Sequence, residues 1–424
     1  LKQQQERYKN EKKYVAFCIG GLKYLEQSIN GNRLLLKKTC ENFDKLFIIN
    51  TGNLSFLKEK NNLYNKRDFF INKKNSKLII KNKKLKLPKN IEFFNPQNVM
   101  DFINFMQDKN IIAINSFGRS FNDLKIHFLF KYFNIKQVQI SDVGNLQSEI
   151  FPVTKYDIGA WLNKLNHDFG HMTTVALSNM GLVPKIDIRF ISSKKTFKSL
   201  RKNSLFKRFN FFYCKQHILI NSKAYDYIAS NNPKILEKKI VLLDIMFKHP
   251  EFLGMGDLPE PRVIKKFYNK INKFLKILEN NYKKKIVVCI HPKDNLKEKE
   301  KIFNKYKVIK YATQKNIIES FMVLFFDTSA IVDAILLKKK IILLTTSLQS
   351  KNSMRIGDDY HKKTGIFKIN LDNYEFKNKK TLLNQLNKSR INQLNLNYIR
   401  LYLAPDGNNL GFEKIIKTIK SRFF

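Results

Sequence analysis

Residues 285–293 read KIVVCIHPK, residues 321–329 read FMVLFFDTS, and residues 341–345 read IILLT. Within the segment Lys285–Thr346 these are three short apolar runs. They are separated by a charged helical connection and by an apolar helix pattern over Ala330–Leu337. Apolar runs alternating with helical patterns predict parallel strands joined by crossover helices. His291-Pro292-Lys293 and Asp327-Thr328-Ser329 each follow directly on such a run, so both are expected at the carboxyl edge of one sheet, where open α/β sheets bind ligands. The Thr328 and Ser329 hydroxyls together with the opening amides of a helix make a cradle for an anion such as phosphate, because unpaired donors and the helix dipole both favour negative charge. The same hydroxyls can simply cap that helix, and His291-Pro292 can be an ordinary strand exit. Occurring together and in this order, the two motifs favour the ligand reading.

The chain is 424 residues long, which favours at least two domains. Its 43% hydrophobic and 13% aromatic content is that of a globular chain. Net charge is +44, a value that first points to nucleic acid or an anionic membrane surface. Only 12 of the 79 basic residues are arginine, and the lysines are spread over nearly every segment with abundant Asn and Ile. A nucleic-acid face would be clustered and richer in arginine, so a solvated basic surface is the expectation, with anionic lipid as a peripheral partner and no nucleic acid. The four cysteines, Cys18, Cys40, Cys214 and Cys289, show no CxxC spacing and read as buried reduced thiols of a cytosolic protein. No apolar run reaches bilayer length, and the polar start is not that of a signal peptide. The first residue is not Met, which reads as a trimmed chain or fragment.

From the beginning, Tyr14–Gly20 is a strand pattern ending at Gly20-Gly21, followed by a helix pattern over Leu22–Asn42 and a strand over Lys45–Asn50. The glycine pair lacks GxGxxG spacing. It is either a turn before a helix or a place where a ligand approaches the backbone. The lysine- and asparagine-rich stretch Lys58–Lys89 reads as an excursion. Alternation resumes with strands at Asn90–Phe94, Ile111–Asn115 and Gln137–Ser141 and helices at Val99–Asp108 and Asp123–Tyr132. The exits Ser116-Phe117-Gly118-Arg119 and Ser141-Asp142-Val143-Gly144 would share the carboxyl edge with Gly20-Gly21, making Ser116 and Arg119 candidate substrate contacts.

Residues 151–216 read as a basic and aromatic connecting segment, with Lys194–Lys215 either a linker helix or a membrane-interface stretch. His167, Asp168 and His171 lie close together without a third His or Cys at ligand spacing, so no metal centre is expected there. A second α/β run begins at His217–Asn221. It continues through Ile240–Leu243, a loop carrying His249 and Glu251, the helix Arg262–Tyr282 and the decisive segment. The loop Gln349–Thr364 and the strand Gly365–Ile369 follow. The expected domains are therefore 1–150, a connection at 151–216, 217–370, and a helical tail at 371–424 broken at Ala404-Pro405-Asp406-Gly407.

Two Rossmann-like halves, a connection and a helical tail resemble the GT-B arrangement of glycosyltransferases: an α/β fold whose two Rossmann-like domains face across a cleft. The His-Pro pair followed by the Thr-Ser pair resembles the motifs of bacterial sialyltransferases, polysialyltransferases and the Kdo transferases of capsule synthesis. The resemblance implies that His291 binds the donor phosphate and that Thr328 and Ser329 bind the phosphate or ribose of a cytidine nucleotide. Those sialyltransferases carry an acidic pair whose aspartate is the general base; Asp142-Val143-Gly144 is a partial match lacking the paired acid. Residues 326–334, FDTSAIVDA, are also similar to the polyol-phosphate polymerases of teichoic acid synthesis. A departing nucleotide carries two negative charges, so positive charge and oriented donors are required; His291, Lys293, Thr328 and Ser329 supply them without an obligatory metal or other cofactor. The base for an acceptor hydroxyl is Asp142, then His249 or Glu251. The implied partners are a nucleotide-sugar donor and a glycan or glycolipid acceptor.

Overall fold

Val15–Ile19 and Leu46–Asn50 are buried at every position, with no in–out alternation. Strands of that kind belong in the middle of a parallel sheet covered on both faces. The computed structural model describes residues 12–19, 29, 31–54, 69–72, 77–80, 90–107, 109–115, 123–141, 169–170, 172–200, 214–247, 259–291, 294–349, 351–373, 383–384, 386–387 and 396–424. They form two compact units.

The first unit is built on a nine-stranded sheet in the order β3-β4-β5-β2-β1-β6-β7-β8-β9. Its strands are β1 (Tyr14–Ile19), β2 (Lys45–Asn50), β3 (Phe69–Asn72), β4 (Lys77–Ile80), β5 (Ile91–Phe94), β6 (Ile111–Asn115), β7 (Lys136–Ser141), β8 (Ile186–Ile191) and β9 (Cys214–Leu219). The seven from β5 to β9 in that order pair in parallel, and β3–β4 is an antiparallel hairpin on the edge. Helices cover both faces. On one, α1 (Arg33–Asn42) contributes Leu35 and Leu36 against Val15, Phe17 and Ile48. On the other, α2 (Val99–Met106) and α3 (Leu124–Tyr132) contribute Phe102, Met106, Ile126 and Phe130 against Ala16, Phe47 and Ile49. The short α4 (Lys194–Leu200) connects β8 towards β9.

The second unit carries a six-stranded sheet in the order β12-β11-β10-β13-β14-β15, every pairing parallel. The strands are β10 (Lys239–Leu243), β11 (Lys285–Cys289), β12 (Lys307–Ile309), β13 (Ser320–Phe325), β14 (Lys340–Thr345) and β15 (Phe367–Asn370). α5 (Lys223–Asn231) leads into β10, and between the strands run α6 (Pro261–Tyr282), α7 (Leu296–Ile302), α8 (Thr313–Ile318), α9 (Ile331–Leu336) and α10 (Lys351–Thr364). Counted from β10, the order is the 3-2-1-4-5-6 of a doubly wound sheet, with its reversal between β10 and β13. Helix α6 starts on Pro261, whose fixed φ suits a first helical turn, and ends on Lys283 in the left-handed region. Its Phe267, Ile271, Phe274, Leu275 and Leu278, one stripe of a 3.6-residue repeat, are buried against Ile240, Leu242, Val288 and Leu324.

Three sequence expectations change. Ile186–Ile191 and Cys214–Leu219 are strands of the first sheet, so the connecting segment expected at 151–216 supplies sheet structure. His217 and its neighbours close the first unit instead of opening the second. The loop expected at Gln349–Thr364 is α10: its buried face is Ser353, Ile356, Gly357 and Tyr360, and small and polar members hide the 3.6-residue repeat. Gly357 lets that helix approach closely, since a Cβ there would lie 3.3 Å from the Phe326 carbonyl oxygen and 3.2 Å from Leu343. Finally, the tail is not one element. After the expected break at Ala404–Gly407, α11 (Gly411–Phe423) buries Phe412, Ile415, Ile416 and Ile419 in the first unit beside α1.

What pins α11 there is Asn221, 1% exposed just beyond β9. Its amide nitrogen donates to the carbonyls of Gly407 (2.8 Å) and Asn409 (2.6 Å), and its oxygen accepts from the Asp406 amide (2.8 Å). Gly407 adopts φ +68°, a conformation that favours glycine. Replacing Asn221 by Ala strands three main-chain groups, each costing on the order of 1–3 kcal/mol where water cannot reach. Asn221→Ala is expected to lower the midpoint of urea unfolding, with α11 amides losing hydrogen-exchange protection first; unchanged protection would contradict the pinning role.

Candidate functional site

Because all six strands of the second sheet run the same way, their exits share one edge. His291 lies two residues beyond β11 and Thr328-Ser329 three and four beyond β13. Strand β10 lies between β11 and β13. The two exits therefore flank β10, separated by about 10 Å at the usual interstrand spacing. All three residues are half-buried. The Ala330 amide donates to the Thr328 hydroxyl oxygen at 3.3 Å, and the Ile331 and Val332 amides donate to the carbonyls of Thr328 and Ser329 at 3.4 and 3.2 Å. The Thr328 oxygen therefore closes a turn just ahead of α9, whose N-cap is Ala330 with no side-chain cap, and Thr328 can still donate its hydroxyl proton. The anion cradle expected over Ala330–Leu337 is smaller than anticipated, because α9 spans only Ile331–Leu336 and several of its opening amides are already bonded.

Beneath the β10 and β11 exits is a buried polar cluster that the sequence did not announce. Lys299 of α7, 5% exposed, places its ammonium 2.5 Å from Asp244 Oδ2 and 3.3 Å from Asp294 Oδ2, and donates to the Ile245 carbonyl at 3.2 Å and to the Tyr268 hydroxyl. The Asp244 side chain is 1% exposed, and its Oδ1 makes no hydrogen bond among the described residues. Burial raises the Asp244 carboxyl while Lys299 opposes that rise. Burial alone would lower the Lys299 ammonium, but the carboxylates of Asp244 and Asp294 outweigh it and hold the lysine protonated. Asp244 could have been noticed as an acid directly after an apolar run. Lys299 could not: in LKEKEKI it looks like every other surface lysine.

At the exit of β14, Thr346 Oγ1 donates to Asp372 Oδ1 at 2.8 Å and the Ser347 amide to Asp372 Oδ2 at 2.5 Å. Burial pushes the Asp372 carboxyl up, but these donors and nearby Lys270 leave it lowered. In the first unit the strand exits are likewise polar and buried. Asn50 donates to Asn95 at 2.6 Å, Thr51 to the Ile19 carbonyl at 2.9 Å and Asn115 to Gln137 at 3.1 Å.

Of the residues singled out from sequence, the structure brings His291, Thr328 and Ser329 to one edge. Gly20, Gly21, Ser116, Arg119, Asp142, His249, Glu251 and Lys293 lie outside the described residues, as do His167, Asp168 and His171. The strands that the first-unit candidates follow, β1, β6 and β7, are adjacent and parallel. Among the described residues no group of three His, Cys, Asp or Glu side chains is placed to hold a metal, and no helix is long and apolar enough to cross a membrane.

Asp333, on α9, is 8% exposed and accepts from Gln314 Nε2 at 3.1 Å. Burial lifts its carboxyl to about 6, with Gln314 opposing. The folded protein thus keeps a proton there up to about pH 6, whereas the unfolded chain releases it near pH ~4. This contribution to stability is complete below that lower value and is lost as pH rises through 6. Asp333→Asn preserves the Gln314 contact without the charge. It is expected to be more stable than the parent by up to roughly 3 kcal/mol at pH 8, with the difference vanishing below about pH 4; urea titrations at both pH values read it directly.

No family model and no curated protein matches the chain. Solved structures do. The wall teichoic acid polymerase TagF, in a variant soaked with CDPG, superimposes with a TM-score of 0.51 at 9% identity, over 97% of this chain and 88% of that one. The UDP-GlcNAc 2-epimerase of Methanocaldococcus jannaschii, in complex with UDP-GlcNAc and UDP, gives 0.46 at 14% identity over 96% and 99%. The calicheamicin glycosyltransferase CalG4 gives 0.44 at 8% identity over 97% and 98%. At such identities the likeness concerns the fold alone. Two parallel-sheet α/β units and a C-terminal helix put this chain in the GT-B fold class.

Proposed function

We propose that the chain is a glycosyltransferase that moves a sugar from a nucleotide-activated donor to a glycan or glycolipid acceptor of a bacterial surface polysaccharide or lipopolysaccharide. The donor is a CMP-sugar such as sialic acid or Kdo in preference to others. The reading rests above all on one observation: His291 and Thr328-Ser329 flank the first strand of a 3-2-1-4-5-6 sheet at its carboxyl edge, beside the reversal between β10 and β13. In this reading the second unit holds the nucleotide. Thr328 donates its hydroxyl proton to a phosphate oxygen or ribose hydroxyl, Ser329 adds a second donor, and His291 with Lys293 offsets the charge of the departing nucleotide. Asp142, or failing it His249 or Glu251, removes the acceptor proton. Lysines supply the positive charge that a metal gives in other transferases.

The likeness to TagF supports a second reading, transfer of a polyol phosphate from a CDP-linked carrier. The products separate the two. Release of CMP with a new glycosidic bond is expected; a phosphodiester product would establish the alternative. A thermal-shift screen with CMP, CDP, UDP and GDP comes first, because a ligand that binds only the folded state stabilises it according to its concentration over its dissociation constant. A cytidine nucleotide is expected to give the largest shift. His291→Ala is expected to cut turnover by roughly 100-fold while leaving the melting temperature close to that of the parent. Turnover unaffected by that change would remove His291 from the site, and a chain that binds none of the four nucleotides would be a non-catalytic relative of the fold.

A further inference from the structure

The β11 exit is held in more ways than a strand exit needs. The Asp294 amide donates to the His291 carbonyl at 2.9 Å, closing the turn that carries the histidine. Lys310 donates to the Asp294 carbonyl at 2.9 Å, and the Asp294 side chain accepts from the Asn295 amide at 2.8 Å and faces Lys299. Next door, the Asp244 amide donates to the Cys289 carbonyl at 2.9 Å, so the β10 exit is registered on β11. Lys299 then joins the two exits from beneath, its ammonium shared between the Asp244 and Asp294 carboxylates over the Tyr268 ring, 4.5 Å away. A buried lysine is not needed merely to fill this volume. Continuum and mutational comparisons show that a well-packed apolar group in place of a buried ion pair is often as stable.

We propose that Lys299 is a positioning residue for His291: by tying the carboxylate at the end of β10 to the carboxylate that closes the His291 turn, it makes the two exits one rigid edge of the nucleotide site. The inference rests on the functional reading above for the ligand, but its geometric part stands without it. Pre-organised groups lose effectiveness steeply when displaced, so loosening this tie weakens nucleotide contact even though Lys299 touches no ligand.

A matched control exists in the same sheet. Lys339, 4% exposed, donates to the carbonyls of Leu236, Ile318 and Ser320 at 3.3, 2.9 and 2.6 Å at the opposite, amino edge. The experiment compares Lys299→Met, Lys299→Arg, Asp294→Asn and Lys339→Met by calorimetric titration with the best-binding of CMP, CDP, UDP and GDP, and by NMR titration of the His291 imidazole, assigned by its absence in His291→Ala. Lys299→Met and Asp294→Asn are expected to raise the dissociation constant about tenfold and to move the His291 titration. Lys299→Arg retains most of the affinity, and Lys339→Met destabilises the fold while leaving both readouts at parental values. Should Lys299→Met fail to fold, Asp294→Asn, which removes only the longer contact, decides the matter. Parental affinity and an unmoved imidazole in Asp294→Asn would overturn the proposal, as would equal losses in Lys339→Met. If the parent binds no nucleotide, the functional reading fails and the imidazole titration alone judges the positioning role.

Discussion

The second unit depends on parallel hydrogen bonding of β10 to β11 on one side and to β13 on the other. Those two pairings bring together residues far apart in the chain, since His291 and Thr328 are separated by two helices and two strands. Parallel pairing sends every strand end to one edge, and the reversal at β10 leaves a place where successive crossover helices lie on opposite faces. Chemistry-bearing side chains follow from this main-chain constraint. Asp244, His291, Thr328, Thr346 and Asp372 all follow strands of a single sheet, so they gather along one rim.

Charge is distributed by the cost of dehydration. Most of the described lysines are at the surface, where water screens them. Lys299, Lys339 and Lys340 are buried, and the first two are compensated in different ways. Lys299 faces two carboxylates and a phenol, whereas Lys339 donates to three main-chain carbonyls and is lowered by burial. A buried ammonium held by anions stays charged, and one held by neutral carbonyls is easier to deprotonate. Asp333, buried with a single amide donor, follows the same rule with the opposite sign and keeps its proton up to about pH 6.

Much of the element pattern was legible because central parallel strands are apolar at every position. Lys45–Asn50 and Ile111–Asn115 have the same limits in both readings, and α6 differs from its expected start by one residue. β8 was missed because IDIRFI alternates like a half-buried strand outside any βα repeat, and the register that places it against β7 is contributed by another part of the chain. Helix α10 was missed because the face it buries is partly serine and glycine, chosen for close approach to Phe326 and Leu343. Of the candidate site, His291 and Thr328-Ser329 were visible as polar residues ending apolar runs. Lys299, Asp294 and Tyr268 were not, since nothing local distinguishes a lysine that turns inward from one that turns out.

By itself the sequence determined the α/β class, the existence of two sheets and the sharing of one edge by the two motifs, because strand periodicity and chain direction are local properties. Tertiary structure alone decided that β8 and β9 complete the first sheet, that α11 belongs to the first unit, and that one lysine among 67 joins two strand exits. Those outcomes depend on which surfaces exclude water together, and that is a property of pairs of segments distant in the chain.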